Sequence, residues 1–125
     1  MINANLRMIN LIKKFGYAIK GIAEAARGSS FQIQLLAAVA VIFLVFYFPL
    51  SAVERAILVF AIFFVLILET LNTIIERYAD FISKDADPRV KVIKDLSAGA
   101  VLLSAFAAAI VGLIILFPYL WFIPL

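Results

Sequence analysis

The stretch AILVFAIFFVLILETLNTIIERYAD (residues 56–80) joins an uncharged apolar run to a line of acidic and amide side chains. Its first thirteen residues carry no charge, but they are too few to cross a bilayer, which needs about 20 apolar residues. A membrane-spanning helix that starts here must therefore continue into the polar part. Glu69 then lies at or below the boundary between hydrocarbon and headgroups.

Four polar residues of this stretch share one face of the predicted helix. At about 100° per residue, Asn72, Glu76 and Asp80 fall within about 60° of Glu69. Ionisable residues at membrane depth are costly and usually face a bundle interior or a polar cavity, so this stripe is a candidate functional site. The alternative is that Glu76, Arg77 and Asp80 form only a solvated helix end, but that alternative does not account for Glu69.

Composition indicates an integral membrane protein. Of 125 residues, 66% are hydrophobic and 15% are charged, and the mean hydropathy is +1.15, far from the values of a soluble domain. The length leaves no room for a separate soluble catalytic domain. The chain has no cysteine and no histidine, which excludes thiolate chemistry and removes the commonest transition-metal ligand. We expect no nucleic-acid partner.

We predict an all-α membrane protein with one domain, residues 1–125, in which an amphipathic surface helix precedes three transmembrane helices. The predicted ranges are 1–28 for the surface helix and 31–49, 55–83 and 91–118 for the membrane helices. The surface helix is predicted because Ile12, Phe15, Ile19 and Ile22 recur at spacings of three and four residues.

The basic residues predict the orientation. Ten of them lie before the first span or between the second and third: Arg7, Lys13, Lys14, Lys20, Arg27, Arg77, Lys84, Arg89, Lys91 and Lys94. By the positive-inside rule, the N-terminus and the second loop are cytoplasmic and the C-terminus is outside.

The start of the third membrane helix supplies charges that complement the stripe. Lys91, Lys94 and Asp95 lie there. Carboxylates that bind Mg²⁺ and lysines that bind phosphate oxygens are typical of phosphoryl transfer, so we expect Lys91 and Lys94 to contact ATP. Three helices cannot enclose a large site, and we therefore expect the site to be completed between subunits.

The motifs E-T-L-N-T-I-I-E-R-Y-A-D (69–80) and K-D-L-S-A-G-A-V-L-L (94–103) resemble those of the prokaryotic diacylglycerol kinase and undecaprenol kinase family. The resemblance extends over essentially the whole chain, including Y-A-I-K-G (17–21) and Phe31 with Q-L-L-A-A (34–38). It implies a homotrimer in the bacterial cytoplasmic membrane that transfers the γ-phosphate of MgATP to a lipid hydroxyl.

The resemblance also implies roles for individual residues. Glu69 resembles the general base, Asn72 the residue that orients the site, and Glu76 a magnesium ligand. Lys94 and Asp95 resemble a polar pair near the nucleotide and the lipid, and Tyr17 and Asp80 resemble contacts on the nucleotide side.

The sequence departs from the family at a metal-binding position. Gly28 stands where the family has a glutamate that holds magnesium together with the equivalent of Glu76. Glu24, one helical turn earlier, is a candidate replacement. Two alternatives stay open: a catalytically impaired membrane scaffold, and an ion or proton pathway through Glu69. Undecaprenol and diacylglycerol both offer a suitable hydroxyl, and the form of the second motif is closer to the undecaprenol branch.

Overall fold

The computed structural model describes residues 1–83 and 87–122, and that part of the chain is all-helical, as predicted. The four helices are α1 (Ile2–Ala25), α2 (Ser29–Tyr47), α3 (Ala52–Ile82) and α4 (Pro88–Trp121). Lys84, which entered the prediction of orientation, lies outside the described residues.

Three of these helices, α2, α3 and α4, are long and apolar enough to cross a membrane. The 31 residues of α3 extend for about 46 Å, whereas the hydrocarbon core of a bilayer is about 30 Å thick. About ten residues of α3 therefore lie beyond the hydrocarbon. The C-terminal part of α3 carries the polar stripe.

Side-chain caps determine where α3 and α4 begin. The backbone N–H of Glu54 donates to Oγ of Ser51 over 3.1 Å, and Oε2 of Glu54 accepts from the backbone N–H of Ser51 over 3.0 Å. This capping box satisfies N–H groups that a helix start leaves free, so α3 begins at Ala52 rather than at the predicted position 55. Asp87 caps α4, whose first residue is Pro88, and a proline suits that position because it needs no N–H there.

Helix α3 is the centre of the subunit, because α4 and α2 pack against it. Helix α1 contacts the C-terminal part of α3. The buried apolar cluster lies at the end of the bundle that holds the α2–α3 loop, and it consists of Val45, Phe48, Leu50, Leu58, Ile115 and Leu116. Large apolar side chains elsewhere, such as Phe46, Phe60 and Leu103, are exposed. Lipid or other protein chains must cover these surfaces in the membrane.

Candidate active site

The polar stripe of α3 changes from buried to exposed along its length. Glu69 and Asn72 are only 6% and 8% exposed, whereas Glu76 and Asp80 are exposed. The stripe therefore has an inner pair, covered by the neighbouring helices, and an outer pair that a soluble ligand can reach.

Glu69 is held by a residue of α2. The amide Nε2 of Gln34 donates to Oε2 of Glu69 over 3.0 Å. A carboxylate among apolar side chains needs such a donor, since burying an unpaired charge is very costly. From the sequence, Gln34 was noted only as part of the motif Q-L-L-A-A (34–38), and this contact was missed. The signal that could have found it was a glutamine within the otherwise apolar run of the first span.

Asn72 connects α4 to the outer pair. Its Oδ1 accepts a hydrogen bond from the hydroxyl of Ser97 in α4, and its Nδ2 donates to Oε1 of Glu76 over 3.1 Å. Ser97 is buried, and from the sequence it was noted only as part of the motif of residues 94–103. The amide of Asn72 cannot turn without breaking both bonds, so it fixes the position of the Glu76 carboxylate.

Lys94 and Asp80 form a second connection between the same helices. The ammonium group of Lys94 donates to Oδ1 of Asp80. Lys94 precedes Ser97 by one helical turn, so both side chains face α3. The ion pair and the Ser97 hydrogen bond together hold α4 in one register on α3.

Asp95 points in another direction from Lys94. One residue turns an α-helix by about 100°, and Asp95 instead accepts a bond from Lys91 over 2.7 Å on its own helix. It lies at the rim of an open groove on the outer surface of α4 that also includes Leu96 and Gly99. The single chain therefore brings Lys94 to the stripe, whereas Asp95 and Lys91 form a separate pair.

The two candidate residues of α1 have different surroundings. Tyr17 is exposed, with the ammonium group of Lys20 5.9 Å from its ring centroid. Glu24 accepts from Arg77 of α3 over 3.0 Å and from Arg27 over 3.4 Å. Hydrogen bonds from Arg77 and then from Arg27 lower the pKa of the Glu24 carboxyl from its ordinary value of 4.5. Glu24 thus joins α1 to the part of α3 that carries Glu76.

The residues present fit a magnesium ion that is bound mainly through ATP. Residues 1–83 and 87–122 contain no cluster of three potential metal-binding side chains. Mg²⁺ needs only one or two protein carboxylates when it is bound with phosphate oxygens and water. Glu76 is exposed and uses Oε1 for Asn72, so its other oxygen can face a cation. Each oxygen of Glu24 is already paired with an arginine.

Comparison with known proteins gives consistent matches across the helices described above. Residues 16–116 match the model of a family described as prokaryotic diacylglycerol kinase. The chain is 40% identical over 109 residues to the undecaprenol kinase of Bacillus subtilis (strain 168), covering 86% of this chain and 89% of that protein.

Two further relatives carry the name diacylglycerol kinase. The protein of Synechocystis sp. is 40% identical over 111 residues, which are 87% of this chain but 63% of that protein, so the chain spans less than two thirds of that relative's length. The protein of Escherichia coli (strain K12) is 27% identical over 120 residues, which are 95% of this chain and 98% of that protein.

Proposed function

The chain belongs to the prokaryotic diacylglycerol kinase family and is a lipid kinase, and we propose that it transfers the γ-phosphate of ATP to a membrane lipid with Glu69 as the general base. The observation that carries this proposal is the surroundings of Glu69. Glu69 is only 6% exposed, belongs to a helix long and apolar enough to cross a membrane, and is held by Gln34 over 3.0 Å. A base in this position can take the proton from a lipid hydroxyl at the headgroup boundary. A carboxylate in bulk water is too far from that hydroxyl to do so.

The remaining residues of the stripe are assigned to positioning and charge neutralisation. Asn72 holds Glu76 over 3.1 Å, and Glu76 binds the magnesium ion of MgATP. Glu24 is a second candidate ligand, but it must first release an oxygen from Arg77 or Arg27. When bound, magnesium neutralises negative charge on the transferred phosphoryl group. Asn72 keeps the carboxylate of Glu76 in one orientation. Because Glu76 and Asp80 are exposed, the phosphates of ATP enter from the outer end of the stripe.

The nucleotide side is assigned to Lys94, Lys91, Asp80 and Tyr17. Asp80 holds the ammonium group of Lys94 beside the stripe, where Lys94 can contact phosphate oxygens of ATP as a point charge. Tyr17 and Lys91 lie on exposed surfaces, so they can reach a soluble nucleotide without any change in the helical packing.

We assign the active enzyme to a homotrimer with sites shared between subunits. Asp95 faces away from the stripe of its own chain, and the groove beside it contains Gly99, a residue that allows close approach of another helix. Asp95 therefore acts with the stripe of a neighbouring copy. A mixture of Glu69→Gln and Asp95→Asn chains tests this, because each variant alone is inactive whereas random trimers of a cyclic assembly regain about a quarter of the sites.

The site is assigned to the cytoplasmic face of the bacterial inner membrane. By the positive-inside rule, the basic residues of α1 and of the start of α4 are expected on the cytoplasmic side. Nearly all side chains of α1 are exposed in the subunit. Helix α1 lies in the headgroup layer as an amphipathic helix, with its apolar face toward the acyl chains. ATP is available on that side, and the outer pair of the stripe faces it.

Undecaprenol is the favoured acceptor, with diacylglycerol as the alternative. The relative named undecaprenol kinase is 40% identical and matches over 89% of its own length, whereas the equally similar Synechocystis diacylglycerol kinase matches over 63%. Either lipid presents a primary hydroxyl behind a long apolar tail, so Glu69 serves both.

The decisive experiment follows radiolabelled γ-phosphate from MgATP into lipid by the purified protein in detergent, with undecaprenol and a diacylglycerol offered in parallel. Glu69→Gln removes the base and is expected to abolish labelling while the assembly stays intact. Glu54→Gln is the matched control, since it makes the same change at the opposite end of α3, where Glu54 contacts Ser51 and Tyr119, and it keeps most activity.

A catalytically impaired scaffold is the second candidate, and Gly28 is the observation that favours it. Gly28 caps the start of α2 without a side chain, where the family resemblance implies a metal-binding glutamate. Absence of label in both lipids, with an assembled protein, would support this candidate. An ion or proton pathway instead predicts a flux across vesicles that Glu69→Gln abolishes.

A further inference from the structure

We propose that Gln34 is a positioning residue for the catalytic carboxylate, and this inference rests on the proposed role of Glu69. The two side chains meet across α2 and α3, with 3.0 Å between Nε2 of Gln34 and Oε2 of Glu69. Within residues 1–83 and 87–122, Gln34 provides the side-chain hydrogen bond to this carboxylate. Neither residue is near the other in sequence, so the contact exists only in the folded subunit.

The contact selects which carboxylate oxygen can act as the base. The last torsion angle of a glutamate side chain has a broad distribution, so by itself it does not determine where the two carboxylate oxygens lie. With Oε2 held by the amide of Gln34, Oε1 is left to receive the proton of the lipid hydroxyl. Misplacing a reacting group by about 1 Å can cost about 100-fold in rate, so the hydrogen bond can determine the rate of the chemical step.

The second polar atom of the amide supports the same role. Oε1 of Gln34 is buried and has no hydrogen-bond partner among the described residues. A buried acceptor without a donor is destabilising and calls for an explanation. Proteins keep such unfavourable groups mainly at functional sites, and here the bond from Nε2 to Oε2 of Glu69 holds the amide in this orientation. When the proton is on Oε1 of Glu69, Oε2 remains an acceptor, so the same bond from Gln34 holds Glu69 in both protonation states.

The two states occur before and after phosphoryl transfer. The lipid oxygen forms its bond to the γ-phosphorus while the bond from that phosphorus to the ADP oxygen breaks. The hydroxyl proton passes to Glu69, so the products are ADP, the phosphorylated lipid and a protonated carboxyl, which returns its proton to water. Gln34 donates to Oε2 of Glu69 before and after this step.

The test is Gln34→Met, which keeps the length of the side chain and removes both polar atoms. We expect kcat for lipid phosphorylation to fall about 10- to 100-fold, with KM for MgATP and for the lipid within about twofold of the original. Gln34→Asn keeps an amide but is one methylene too short to reach Glu69, so it should lose kcat to a similar extent without adding an apolar group. Both variants are assayed as assembled protein.

Gln32→Met is the matched control. Gln32 lies two residues earlier on α2, is exposed, and donates to the backbone oxygen of Ala26 over 3.0 Å. The same substitution there removes one side-chain hydrogen bond away from Glu69 and should leave kcat unchanged.

A double-mutant cycle separates positioning from a general structural effect. Glu69→Asp withdraws the carboxylate from Gln34 by one methylene, so adding Gln34→Met to it should change kcat by less than about twofold. An equal loss of kcat from Gln34→Met in both backgrounds would overturn the inference, as would an unchanged kcat in the single variant. Full activity of Glu69→Gln, or no lipid phosphorylation by the unmodified protein, would instead overturn the proposed function and this inference with it.

Discussion

Ser97 of α4 donates its hydroxyl hydrogen to the side-chain oxygen of Asn72 of α3, and both residues are buried. The amide nitrogen of Asn72 then donates to Glu76 over 3.1 Å. The position of an exposed acidic side chain therefore depends on a contact between two helices one turn deeper in the subunit.

Ser97→Ala should destabilise the subunit and slow the reaction. It leaves Oδ1 of Asn72 buried without its donor, which typically costs about 1–3 kcal/mol in the free energy of unfolding. Asn72 is then free to turn, so Glu76 loses its fixed orientation and kcat falls. Thermal unfolding in detergent and initial rates at saturating substrates measure the two effects.

Ser104→Ala is the control for that prediction. Ser104 is 2% exposed, and its hydroxyl donates to the backbone oxygen of Val101 over 2.6 Å within α4. That oxygen is part of the helix, so the loss of stability should be smaller and kcat should not change. Equal losses of stability and of kcat from the two substitutions would mean that the bond between Ser97 and Asn72 contributes no more than a hydrogen bond within one helix.

The sequence was sufficient to predict the stripe on α3 but not its partners. A period of 3.6 residues determines which side chains share one face of a helix, and it placed Glu69 and Asn72 together. It does not determine how a neighbouring helix is rotated or shifted, so Gln34 and Ser97 became visible as partners only in the folded chain. The start of α3 at Ala52, before the predicted position 55, could have been predicted from the sequence, because S-A-V-E (51–54) has the spacing of a capping box.

Glu76→Gln should raise the magnesium requirement more than it lowers the maximal rate. The amide keeps the shape of the side chain but is a much weaker magnesium ligand. We expect the magnesium concentration for half-maximal rate to rise about tenfold, in the range seen when groups around a metal are altered. Asp80→Asn is the comparison, since Asp80 holds Lys94; it should raise KM for ATP instead. An unchanged magnesium dependence of Glu76→Gln would remove Glu76 from the metal site.

Gly28→Glu should strengthen magnesium binding. A Cβ atom at Gly28 would lie 3.4 Å from the backbone oxygen of Ala25, an ordinary contact, and the backbone there is extended with φ of −74°. The helix start also favours an acidic side chain. We expect the rate at limiting magnesium to rise about 3- to 10-fold. Gly28→Gln has the same size without the charge, so an equal gain from both variants would rule out a metal-binding effect.

The attachment of α1 to α3 should depend on pH through Glu24. Arg77 of α3, and then Arg27, lower the pKa of the Glu24 carboxyl below its ordinary value of 4.5. A lowered pKa means that the ionised form stabilises the attached state. This contribution is fully present above about pH 4.5, the ordinary pKa, and is lost as the pH falls through the lowered pKa of the attached state.

Spin labels can follow this attachment, because the chain has no cysteine that would compete for labelling. Ala23→Cys on α1 and Tyr78→Cys on α3 are both at exposed positions. The distance distribution between the two labels should stay narrow at neutral pH and broaden as the pH is lowered below the pKa of Glu24. Adding Glu24→Gln should give the broad distribution at every pH, since the amide cannot form the ion pair with Arg77. A narrow distribution in that variant would show that apolar contacts alone hold α1 in place.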